Sequence, residues 1–200
     1  PGQVVRDWST DVLGRQIESG FDDHHTHHTD LISVRQGVEE LIIRCHGVVE
    51  TDGSSHGILG RHSGYIPMWM FKRATPLTKN GPLVNALVRA AKELPHDNAI
   101  ALLHDLSALV RAKLPYDIGH TNATTTAEQA LSLGKGVCQD HAHIFISAAR
   151  ALGFPARYVG GYLYMADRTE QEAGHAWAEA WVDDVGWIGF DISNGISPDE

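Results

Sequence analysis

Cys138, His175 and Asp191 are residues whose types and order can perform nucleophilic chemistry. Cys138 follows Gly134-Lys135-Gly136-Val137 and opens an apolar-periodic segment, so it should stand at a helix N-terminus. Unpaired N–H groups and the positive end of the helix dipole favour a thiolate there. The same N–H groups can face a developing oxyanion. The glycines let the backbone turn sharply and leave room for an extended substrate. A cysteine buried for packing is the competing reading of that position alone. His175 opens the run His175-Ala176-Trp177-Ala178-Glu179-Ala180-Trp181, whose period of two puts His175, Trp177, Glu179 and Trp181 on one face and the alanines on the other. A turn at Asp183-Asp184-Val185-Gly186 would fold the next strand back and bring Asp191 beside His175. The carboxylate would fix the imidazole tautomer, and the imidazole would take the thiol proton. Singly, the histidine also reads as a core residue and the aspartate as a turn carboxylate. Together they form an ordered nucleophile, base and orienting acid.

Several neighbours carry two readings. Gln139 either faces the oxyanion or points to solvent from the first helical turn, and Asp140 suits the helix dipole. Tyr116, after the proline that ends a helix, either lines the cleft or packs in the core. Trp177 either shields the Cys–His pair or belongs to ordinary core. Glu179 shares the His175 face, but at roughly 13 Å along the strand it is too far to orient the imidazole. His24, His25, His27 and His28 could supply two or three nitrogen ligands, yet a solvated loop or edge strand is the preferred reading, and no metal is assigned. His141 and His143, two apart on a helix, do not share a side; His141 is close enough to Cys138 to tune its pH dependence. Cys45 reads as a small buried hydrophobe on a strand.

The elements that must position these groups follow from periodicity and breakers. Residues 31–38 and 40–49 read as strands, followed after Gly53 by several glycines and an apolar run over 66–71. The proline-punctuated stretch 72–82 reads as a boundary, dividing a β-rich domain at 1–75 from a catalytic domain at 76–200. Helices should start at Pro82, at Asp97 or Asn98 as cap, at Thr125 or Thr126 as capping box, and at Cys138, the last ending near Gly153. Residues 157–164, 175–182 and 187–191 read as short strands. Sheet, helices, sheet is an α+β order.

Composition narrows the partners. The 200 residues carry 16 Lys plus Arg against 25 Asp plus Glu, a formal charge of −9, which argues against nucleic acid or an anionic membrane. No run of 18 apolar residues occurs, and the opening residues lack the pattern of a signal peptide. Two cysteines cannot build a disulfide framework or a four-thiolate zinc site, so a reduced, cytoplasmic setting is expected.

Four blocks resemble the transglutaminase-like superfamily, in its order and across about residues 115–195. They are Gly134-Lys135-Gly136-Val137-Cys138-Gln139-Asp140-x-Ala142, the Arg150 to Tyr162 segment, Gly174-His175-Ala176-Trp177-x-Glu179, and Gly186-Trp187-x-Gly189-Phe190-Asp191-x-x-Asn194-Gly195. The region before them is similar to the N-terminal β domain and first helices of the bacterial subgroup described as cysteine proteases. The resemblance implies a papain-like fold, a Cys138-His175-Asp191 triad, and acyl transfer through a thioester. The chain departs from the family where an aromatic residue usually follows Gln139-Asp140, here His141, and where Asp-Pro-Thr is replaced by Asp191-Ile192-Ser193. Related chains continue with further strands, so Glu200 is expected to mark a truncation and the sheet to need those strands.

The reading is a cysteine-dependent enzyme that hydrolyses peptide or side-chain amide bonds in a peptide or protein substrate, with no cofactor. Amine transfer, as in a true transglutaminase, and a non-catalytic peptide-binding scaffold are the alternatives.

Overall fold

Proline, asparagine and threonine start the first three helices where the sequence puts them. The computed structural model describes residues 3–14, 16–51, 56–165, 167, 169–171 and 173–198. Gly53 and Glu200, where a break and a truncation are expected, lie outside them. Helix α1 runs over Pro82–Glu93, with the proline at its first turn, where a missing N–H costs nothing. Helix α2 (Ala99–Lys113) is capped by Asn98, whose side chain accepts the Ala101 N–H. Of the two possible capping boxes, Thr126 and Gln129 form the one that starts α3 (Ala127–Leu133), and Gly134 ends that helix at φ +69°. Helix α4 spans Cys138–Ala151 and is buried from Asp140 to Ala149.

The last three strands are β6 (Ala156–Gly161), β7 (His175–Val182) and β8 (Gly186–Phe190). With β5 (Ile58–Gly60) they form an antiparallel sheet in the order β5-β8-β7-β6. The alanine face of β7, Ala176, Ala178 and Ala180, is buried beneath α4. Small side chains there let helix and sheet approach closely, and Phe145 and Phe190 fill the remaining space with their rings 5.0 Å apart. Helices α1, α2 and α3 cover the far side of α4. The protein is thus α+β, a helical layer against one face of a sheet. On the opposite face a 3-10 helix (Met68–Lys72) places Phe71 against Trp187, rings perpendicular at 5.0 Å. Arg150 fastens this segment: its guanidinium donates to the carbonyls of Phe71 and Ala156 and to the Thr78 hydroxyl.

The N-terminal segment differs from expectation. β1 (Gln3–Val12) pairs with β4 (Ile43–Thr51) as a two-stranded ribbon, and β2 (Ser19–Asp22) with β3 (His28–Leu31) as a hairpin. Residues 32–42 form no strand; Gly37, at φ +88°, sits in a turn closed from Val38 N–H to Arg35 O. Cys45 is exposed rather than buried. Alternation marks a strand but does not supply a layer to cover it, and every residue of β4 stays exposed in this ribbon.

Candidate active site

Gly136 makes room within the turn that leads into α4. A Cβ on it would lie 2.8 Å from Asp140 and 2.9 Å from the Leu114 side chain, so only glycine allows this approach. Asp140, three residues into α4, accepts the Val137 N–H at 2.8 Å and the Thr121 hydroxyl at 2.6 Å. These bonds hold the turn that presents Cys138. Tyr116 is tied alongside: its short parallel bridge to Gly136 is closed by Asp117 N–H to Gly136 O at 2.9 Å.

The sheet brings up the other two groups. The register pairs Ala178 with Phe190, so Asp191 follows the last paired residue of β8 on the face that carries His175 and Trp177. His175 Nε2 donates to Asp191 Oδ2 at 2.7 Å, which leaves Nδ1 as the ring nitrogen free to serve Cys138, and the imidazole and the thiol line the same cleft. Asp191 is almost fully buried. Its carboxylate also accepts the Asn194 side-chain amide at 2.7 Å and the Asn194 N–H at 3.2 Å.

The electrostatics follow from these contacts. The Asp191 hydrogen bond, then the bond to Cys138, raise the His175 pKa to about 9 against the cost of burial. Burial pushes the Cys138 thiol up, but the His175 hydrogen bond, backbone hydrogen bonds of Ala176 and Gln139, and the imidazolium field outweigh it, and its pKa falls below the ordinary thiol value. Burial likewise pushes Asp191 up, and hydrogen bonds from His175 and Asn194 bring it below the usual carboxylate range. All three shifts work toward a thiolate beside an imidazolium held by a carboxylate.

A cleft of about 600 Å³ opens over the sulfur. Tyr116, Ile118, Tyr158 and Tyr162 wall it, with the backbone of Gly160, Gly161 and Gly174. Tyr116 is therefore a cleft residue rather than core. Burial and then the Cys138 charge raise its pKa, keeping the phenol protonated. Trp177 stacks beside His175. Gln139 borders the cleft, but its side-chain amide donates to Asn122 O at 3.2 Å, so the backbone is what it offers the site. Glu179 pairs with Arg157, away from His175. Tyr158 and Tyr162 were not singled out as site residues from the sequence, although both stand in the Arg150 to Tyr162 block.

The histidines around His24 lie at the β2–β3 turn, where Asp23 accepts the N–H groups of His25 and His27. His28 lies between Asp22 and Asp30 at 3.2 Å from each. Among the described residues no group of three or more His, Cys, Asp or Glu is arranged to hold a metal ion, and no helix is long and apolar enough to cross a membrane.

A family model described as the transglutaminase-like superfamily matches residues 87–192. An uncharacterized protein of Mycobacterium leprae is 37% identical over 91 residues, 43% of this chain and 32% of its own length. One from Mycobacterium tuberculosis is 32% identical over 131 residues, 59% of this chain and 42% of its own. The chain spans less than half the length of these curated relatives. Its fold is similar to a crystal structure from Cytophaga hutchinsonii described as a "Putative Cysteine Protease", with TM-score 0.71 and 23% identity, over 98% of this chain and 68% of that one.

Proposed function

This chain belongs to the transglutaminase-like superfamily, and from that premise we propose that it is a cysteine-dependent amide hydrolase acting on peptide or side-chain amides. The observation that carries the reading is that Cys138 shares an open cleft with His175, whose imidazole is held by a 2.7 Å hydrogen bond to the buried Asp191. The Cys138 thiolate attacks the amide carbonyl, forming a C–S bond and a tetrahedral oxyanion. His175 gives its proton to the leaving nitrogen as the C–N bond breaks, and a thioester remains. His175, now neutral, takes a proton from water; the hydroxide displaces the thiolate, which regains its imidazolium partner. Asp191 keeps the imidazole in the orientation both steps need.

Water is the acceptor we assign because the cleft is open: Tyr162 and Ile118 on its wall are 80% and 72% exposed. Apart from the triad its described walls are tyrosine, isoleucine, valine, alanine and glycine with Gln139, and carry no Lys, Arg, Asp or Glu. An extended segment with uncharged side chains flanking the reacting carbonyl fits such a lining, with the peptide backbone running past Gly160 and Gly161. The substrate in this reading is a peptide or protein, and the chemistry needs no cofactor.

Incubation with an unbiased peptide library, with and without a primary amine, followed by mass spectrometry, tests the reading. Expected are cleaved or deamidated peptides, with uncharged residues enriched at the site and products lost in Cys138→Ala. Amine-adducted products in place of hydrolysis would reassign the acceptor. No product from the wild-type chain beyond that of Cys138→Ala would overturn the enzymatic reading.

A further inference from the structure

The two places where this chain departs from its family pattern meet in space. His141, one helical turn past Cys138, is 1% exposed. Its Nδ1 lies 2.7 Å from Ser193 Oγ, and its Nε2 lies 2.7 Å from Leu114 O. A carbonyl only accepts, so Nε2 carries the hydrogen. In a neutral imidazole Nδ1 is then an acceptor, and the Ser193 hydroxyl donates to it. Neutrality is supported by the surroundings. Burial lowers the proton affinity of His141 most; the Leu114 carbonyl and the charges of Asp140 and Asp191 oppose this, and Arg111 adds to it. Tyr116 is a further titratable neighbour, its ring centre 6.2 Å away.

Ser193 belongs to the turn that sets Asp191. Asp191 N–H donates to Ile196 O at 2.9 Å, and Gly195 N–H returns to Asp191 O at 2.8 Å. Ile192 is buried in the core, and Asn194 grips the carboxylate. Core burial holds one side of the turn and Asn194 holds the acid within it. The Ser193–His141 hydrogen bond ties this turn directly to α4, with Leu114 O anchoring the far side of the ring.

We propose that His141 is a positioning residue: a neutral imidazole strut that, through Ser193, holds the Asp191 turn in register with the first turn of α4, so that the carboxylate stays in line with His175. The inference rests on the triad reading above, but its test needs no substrate. Buried hydrogen bonds of this kind are geometrically exacting, and a misplacement of about 1 Å at a reacting group can cost on the order of a hundredfold in rate.

The measurement is the pH dependence of Cys138 alkylation by iodoacetamide, followed by peptide mass spectrometry, in wild type, Ser193→Ala, His141→Phe and His141→Gln. Wild type should show two steps, one where Cys138 ionises and one near pH 9 where His175 loses its proton. In Ser193→Ala and His141→Phe the upper step should move toward neutral by about one pH unit, because a looser Asp191 holds the imidazolium less well. His141→Gln, which keeps a donor and an acceptor, should retain part of the wild-type position. Ser193→Ala removes one oxygen and supplies the test should His141→Phe fail to fold. An unchanged upper step in folded Ser193→Ala would overturn the strut. A single step in wild type, with Cys138 reacting as Cys45 does, would instead overturn the ion pair itself and the strut with it.

Discussion

The indole of Trp177 lies beside the His175 imidazole, ring centres 6.1 Å apart and planes 27° from parallel, because Gly161 leaves space for it. Gly161 sits directly across from His175 in the β6–β7 pairing. A Cβ there would lie 2.7 Å from Trp177 Cη2 and 3.1 Å from Cζ3. Gly161→Ala should therefore displace the indole and uncover the imidazole. We expect the rate of Cys138 alkylation at pH 6 to fall by roughly tenfold with a small change in Tm, since the methyl sits at a strand end rather than in the core. An unchanged rate would show that the stacked ring is not needed to hold the pair.

The pH profile has a definite sign. Cys138 ionises below the ordinary thiol value, while His175 stays protonated up to about pH 9, so thiolate and imidazolium coexist between the two ionisations. The proposed reaction requires both, so its rate should rise as Cys138 ionises and fall as pH passes about 9. The hydrogen bond to Asp191 is the largest cause of the raised His175 pKa. Asp191→Asn should therefore pull the alkaline limb down toward the unperturbed value near 6.5 and cut the rate by about a thousandfold or more through tautomer loss. An alkaline limb that stays near pH 9 in this variant would assign the effect to another group.

Exposure and reactivity should separate in the two cysteines. Cys45 is open to solvent on the ribbon, with the Thr10 hydroxyl 3.9 Å from its sulfur, whereas Cys138 is half-buried beside an imidazolium. At pH 6 iodoacetamide should label Cys138 faster by at least about tenfold. His175→Ala should abolish that preference. Faster labelling of Cys45 in wild type would mean that access, not ionisation, governs the site.

Arg150 should be a stability residue rather than a site residue. Burial lowers its pKa, and its guanidinium satisfies the carbonyls of Phe71 and Ala156 and the Thr78 hydroxyl. Arg150→Ala leaves these acceptors short of a donor, at a cost of roughly 3 kcal/mol and a Tm lower by about 10 °C. Thermal unfolding by circular dichroism reads this directly. A change under about 2 °C would mean that water replaces the guanidinium without loss.

The sequence by itself determined the elements that hold the chemistry. Asn98, Thr126 with Gln129, Pro82 and Gly134 are local signals, and each acts where it stands because a cap concerns three or four neighbouring residues. The strict alternation from His175 to Trp181 likewise settled that the alanines face a helix and that His175 shares a face with Trp177, since a strand repeats every two residues. Tertiary structure decided what depends on packing between distant segments. It left β4 uncovered and Cys45 exposed, gave Gly136 to Asp140 and Leu114, brought Tyr158 and Tyr162 to the cleft wall, and joined His141 to Ser193, 52 residues away. Periodicity tells which face of an element is apolar. Only the stacking of α4 on the sheet tells what each face meets, because those contacts arise from the fit of whole layers rather than from any short run of residues.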